Sequence, residues 1–72
     1  MERIVRDFGE FIKDKRLAKG LSQAKVAELL GISQQRYSLY ELGKRDPGLD
    51  FVIDISMVLD FKPGEFFDNY RG

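Results

Sequence analysis

The strongest constraint on this chain is the residue spacing from Leu21 to Gly43, LSQAKVAELLGISQQRYSLYELG. Val26, Leu29 and Leu30 recur at the i, i+3, i+4 spacing of one helix face. Ser22 stands ahead of them, where a hydroxyl can accept from an orphaned backbone N–H of the first turn. Gly31 follows the last apolar residue, at the C′ position whose left-handed backbone favours a residue without Cβ. Only Ile32 separates it from Ser33, a second N-cap followed by Tyr37 and Tyr40 on an apolar face. The pattern predicts a helix over 23–30, a turn of about three residues, and a helix over 34–42. Ala27 supplies the small side chain that two helices crossing steeply beside a turn require.

That succession is the helix-turn-helix motif, and the match to one family is close. The chain resembles the bacterial and phage Cro/C1-type helix-turn-helix family, often called XRE. The resemblance rests on Arg16, the Gly20-Leu21-Ser22-Gln23 run, Val26, Ala27, Leu30, Gly31, Ile32, Tyr37 and Tyr40. It continues through Glu41-Leu42-Gly43-Lys44-Arg45-Asp46-Pro47, and covers roughly Phe8 to Phe67. It implies an all-α, compact five-helix, lambda-repressor-like domain, here taken as one unit over residues 1–72. It also implies an ion pair between Arg16 and Glu41 that fixes the motif to the first helix. Two departures stand out: Tyr37 replaces a usual Ile or Val, and Leu39 replaces a polar or basic residue.

The flanking sequence supplies three more helices. Phe8, Phe11 and Ile12 have helical spacing in a helix ending near Lys19, with Gly20 as its C′ residue; Ile4 and Val5 cover the core or extend that helix. Lys15 lies on this helix where the resembling family has an apolar residue, so its stem is expected along the core with the ammonium in water. Gly43 to Gly48 forms a turn-rich loop. Leu49 to Leu59 is apolar nearly all round, with Phe51, Ile55 and Val58 on one stripe and Val52, Ser56 and Leu59 on another. A helix of that kind is covered on more than one side. Pro63 suits the first position of a short last helix running to about Asn69. A second subunit is expected over Phe51, Ile55, Val58, Phe66, Phe67 and Tyr70.

A chain of 72 residues buries only about 60% of its unfolded surface, so its core is thin. It has no cysteine and no histidine, which excludes disulfides, thiolate zinc sites, Cys nucleophiles and His bases. Carboxylates are scattered on helix surfaces with no nucleophile–base pair, so no enzyme activity and no cofactor or metal is expected. No apolar run is long enough to span a bilayer and no signal peptide is seen, which makes the cytoplasm the expected location. Net charge is zero but unevenly spread. Residues 13–45 carry eight basic and three acidic side chains, a balance of +5, and residues 46–72 two basic and six acidic, a balance of −4. One part suits phosphates and the other repels them.

Together these readings predict sequence-specific binding of double-stranded DNA by a homodimeric transcriptional regulator, a repressor, on a palindromic operator. The second motif helix enters the major groove. Gln34, Gln35, Ser38 and Leu39 read base edges, and Ser33 and Arg36 reach bases or phosphates. Gln23, Lys25, Lys44 and Arg45 contact phosphate, together with the N–H groups at the helix starts. The rival is a protein-interaction module of the same fold, such as an antitoxin or anti-regulator, that binds through the last two helices.

Overall fold

The computed structural model describes residues 2–68 and Tyr70. Five helices follow in order: α1 Glu2–Ala18, α2 Gln23–Leu30, α3 Gln34–Glu41, α4 Leu49–Val58 and α5 Pro63–Phe67. No strand occurs among the described residues. Ile4 and Val5 belong to α1, with Ile4 packed on the core. The expected end of the last helix near Asn69 lies outside the described residues.

The helix ends form where their residues demand. Ser22 Oγ accepts from the Lys25 N–H at 3.0 Å, and Ser33 Oγ from the Arg36 N–H at 3.1 Å. Between them Gly31 adopts φ 74°, while the Gly31 and Ile32 N–H groups donate to Glu28 and Ala27 at 3.1 and 3.0 Å. These two bonds are the Schellman closure of α2. Past α4 the same left-handed position is held by Asp60, at φ 61°, and Phe61 N–H donates to Ser56 O at 2.9 Å.

The core takes Phe8 and Ile12 from α1, Val26 and Ala27 from α2, Tyr37 and Tyr40 from α3, and Ile55 from α4. Leu59, Phe61 and Phe66 close it at the C-terminal end. Ile12, Val26 and Ile55 are each fully buried, which stabilises the fold by about 1.5–3 kcal/mol per side chain relative to exposure. Phe66 is the hub of the aromatic cluster, with ring centroids 5.3 Å from both Phe8 and Phe11 and 5.2 Å from Phe67. The Lys15 ammonium lies over the Phe11 ring, 5.4 Å from its centroid, and pairs with Glu65, tying α1 to α5.

Three assignments change. Leu29 is exposed, so the buried face of α2 is Val26, Ala27 and the half-buried Leu30. Ile55 and Phe66 lie in the protomer's own core, at 0% and 7% exposure, and offer no surface to a second subunit. Phe51 stacks on Tyr40 with centroids 3.7 Å apart, and Val58 and Tyr70 are likewise half-buried. The open apolar stripe of α4 is instead Leu49, Ile53 and Met57, spaced i, i+4, i+8, with Phe67 exposed nearby in sequence on α5.

Glycine sets the seam between α1 and the end of α3. A Cβ on Gly9 would lie 2.5 Å from the backbone oxygens of both Tyr40 and Glu41. Gly43 has φ +71°, and a Cβ there would lie 2.6 Å from Arg6 Cα. Only residues without a side chain allow α1 to approach this closely.

Candidate nucleic-acid interface

The orientation of α3 is fixed by a buried polar cluster centred on Glu41, which is 5% exposed. Arg16 donates to it twice, from Nε at 2.7 Å and from Nη2 at 3.2 Å. Gln23 Nε2 donates at 2.9 Å and Tyr37 Oη at 2.5 Å. Arg16 Nη1 also donates to Leu21 O at 2.8 Å, at the turn joining α1 to α2. The three helices α1, α2 and α3 therefore meet at one carboxylate. Burial opposes its charge, and the hydrogen bonds from Arg16, Tyr37 and Gln23 outweigh that cost, holding the Glu41 pKa below its ordinary 4.5. The Glu41 hydrogen bond in turn raises the Arg16 pKa. Burial, then the bond to Glu41, raises that of Tyr37 and keeps its hydroxyl a donor. No buried side-chain polar atom among the described residues lacks a partner.

Tyr37 and Glu41 stand one helical turn apart on the inner face of α3, so the opposite face is presented outward. There Gln34, Gln35, Ser38 and Leu39 line one open depression, with Gln23 of α2 as its far wall. Gln34 and Gln35 are exposed, Ser38 is half-buried, and Leu39 is the single apolar side chain of the set, 38% exposed. Two amides that donate and accept together beside an aliphatic group form a surface suited to base edges. Ser33 Oγ is engaged as the cap of α3.

The residues expected at phosphates are arranged differently from one another. Gln23 is held by Glu41, so its amide is oriented before any ligand arrives. Ser22 caps the Lys25 N–H, leaving those of Gln23 and Ala24 pointing out of the start of α2. Lys25 pairs with Glu28 at 3.3 Å on the outer surface of α2. Lys44 is exposed on the loop after α3. Arg45 Nε donates to Tyr40 Oη at 3.1 Å, with its guanidinium 5.8 Å from that ring's centroid, which stiffens the loop. Arg36 does not join the glutamine depression; it lines a neighbouring one with Tyr40, Arg45, Asp46, Asp50 and Phe51. Among the described residues no cluster of three or more Asp or Glu is placed to hold a metal ion. No helix there is long and apolar enough to cross a membrane.

Two contacts of this arrangement are not foreseen from the sequence, that of Gln23 with Glu41 and that of Gly9 with the end of α3. Gln23 was expected to face phosphate, and its bond to the buried carboxylate has no local signal. Gly9 did carry a signal, since a glycine inside a helix costs about 1 kcal/mol relative to alanine and commonly marks a close approach.

Comparison with known proteins agrees with the fold. The family described as helix-turn-helix matches residues 12–66. The SPbeta prophage-derived HTH-type transcriptional regulator YonR of Bacillus subtilis is 44% identical over 52 residues, covering 72% of this chain and 48% of YonR. The HTH-type transcriptional regulator YqaE of Bacillus subtilis is 43% identical over 53 residues, covering 74% of this chain and 46% of YqaE. The chain thus spans about half the length of these relatives. Among solved structures, the restriction-modification controller protein C.AhdI from Aeromonas hydrophila superposes with a TM-score of 0.82 at 31% identity, over 89% of this chain and 93% of that one.

Proposed function

This chain belongs to the Cro/C1-type helix-turn-helix family, and from that premise we propose that it is a DNA-binding transcriptional regulator that represses from a palindromic operator as a homodimer. The observation that carries the proposal is the single depression shared by Gln34, Gln35, Ser38, Leu39 and Gln23 on the outward face of a helix locked at its inner face. In the major groove the two glutamine amides match adenine N6 and N7, and Leu39 meets a thymine methyl. Gln23, Lys44 and Arg45 and the start of α2 take the phosphates, setting register and salt dependence rather than sequence preference. Arg36, standing apart from the glutamines, reaches the flanking backbone.

The dimer contact belongs to the exposed stripe Leu49, Ile53 and Met57 of α4. A row of large apolar side chains can pack on its own copy across a two-fold axis, which is how a symmetric operator is matched. Bound across a promoter in the cytoplasm, such a dimer represses by occupying the site.

The test is selection from a random double-stranded DNA library, followed by affinity for the selected sequence across a salt series. A palindrome with half-site centres about one helical turn apart, bound less tightly as salt rises, is the expected result. Failure to enrich any sequence at concentrations where the chain is dimeric would overturn operator reading and favour a protein partner on α4 and α5.

A further inference from the structure

Beyond Gln23 the base-reading depression adjoins a second one, of about 260 Å³, lined by Arg6, Glu10, Lys13, Gln23, Glu41 and Leu42. Gln23 is the wall common to both. The second depression carries two exposed cations from α1, a helix that the sequence reading left out of the DNA-binding surface. Arg6 and Lys13 are seven positions apart, two turns along the same face, or about 10 Å of helix axis. Neither forms an ion pair among the described residues, in contrast to Lys15, Arg16 and Lys25. Leu42, beside them, is 58% exposed and has no donor to offer a phosphate.

These cations are not on a loose element. The backbone of Arg6 abuts Gly43, directly after α3, where a Cβ would lie 2.6 Å from Arg6 Cα. Lys13 lies one turn before Arg16, which is bonded to Glu41. The backbone positions that carry both charges are therefore fixed relative to the helix that carries Gln34 and Gln35. Glu10 stands between them on the same face, exposed, and opposes an anion there.

We propose that Arg6 and Lys13 form an additional phosphate-binding site on α1. It takes phosphodiester oxygens of the DNA strand that passes Gln23, with Glu10 as a built-in repulsive counterweight. The inference rests on the DNA-reading function above and deepens it. It extends the backbone footprint from the helix-turn-helix onto α1, and it predicts opposite signs for neighbouring residues on one helix face.

The experiment measures affinity of the whole chain for its selected operator across a salt series, for the parent protein and for Arg6→Gln, Lys13→Gln and Glu10→Gln. Circular dichroism melts accompany it to establish that each variant is folded. Each lost phosphate contact lowers the salt slope by about 0.9, and a homodimer loses one per subunit, so the affinity change between 50 and 200 mM salt shrinks about twelvefold for Arg6→Gln and for Lys13→Gln. Glu10→Gln binds more tightly than the parent, and base preference is unchanged in all three. Unaltered slopes and affinities in folded variants, with the parent still bound to its operator, would reduce these residues to solvated charge and overturn the α1 site alone. A parent chain that selects no DNA would instead bring down the operator-reading function, and the α1 site with it.

Discussion

Helix α3 buries Tyr37, Tyr40 and Glu41 and is anchored through directional hydrogen bonds to α1 and α2. The C-terminal helices are held differently, by Ile55, Leu59, Phe61 and Phe66 packed against Phe8 and Phe11, with few polar contacts. Apolar packing is non-directional and tolerates small rotations. A carboxylate receiving four donor bonds at 2.5 to 3.2 Å does not. The helix proposed to present amides to base edges is thus oriented by bonds, and the C-terminal helices are oriented by shape. The charge balance follows the same division, +5 over residues 13–45 and −4 over residues 46–72.

Cutting one residue from each region tests this contrast with the largest effects. Arg16→Ala leaves Glu41 buried without its cation and should cost about 3–5 kcal/mol. Ile55→Ala empties part of the apolar core and should cost about 2–5 kcal/mol. Urea unfolding gives both values. At a temperature where both variants remain folded, Arg16→Ala should lose far more DNA affinity, because it loosens the Glu41 cluster to which Gln23 and α3 are bonded. Equal losses would erase the distinction between the two regions.

Tyr37→Phe sharpens it further. The ring stays and one hydrogen bond to a charged group is lost, so about 1.5–3 kcal/mol of stability should go, measured by the same unfolding curves. Acid should separate the regions as well. The Glu41 pKa is lower in the folded state than its ordinary 4.5, so the unfolded chain binds the proton first. The stabilisation is therefore complete above about pH 4.5 and is lost as pH falls through the folded value. Thermal melts between pH 7 and pH 2 should show a shallower acid decline in Glu41→Gln than in the parent. The smallest effect belongs to the C-terminal region: Asp60→Gly relieves a left-handed backbone at φ 61° and should raise stability by about 0.5–1 kcal/mol.

Much of the fold was legible because its punctuation is local. Ser22 and Ser33 cap the helices that they precede, and Gly20, Gly31 and Gly43 take positive φ where helices end. The outward set Gln34, Gln35, Ser38 and Leu39 follows from helical spacing once Tyr37 and Tyr40 are turned inward. What was not legible is what spacing does not encode. Helix α4 is apolar on nearly every side, so its period does not say which stripe is core, and Ile55 was placed on the wrong surface. The approach of Gly9 to the Tyr40 and Glu41 carbonyls, and the bond from Gln23 to Glu41, join residues far apart in sequence. The Tyr37–Glu41 bond was within reach, since residues four apart on a helix face each other.

The central claim is that the outward face of α3 reads bases while its inner face is locked, and one measurement bears on it most directly. The random-library selection is run in parallel with the parent chain and with Gln35→Ala, a change on the exposed face that touches nothing in the Glu41 cluster. The account predicts a selected sequence with preference relaxed at one position in each half-site, with the salt slope of binding unchanged. An identical sequence preference from both proteins would contradict it.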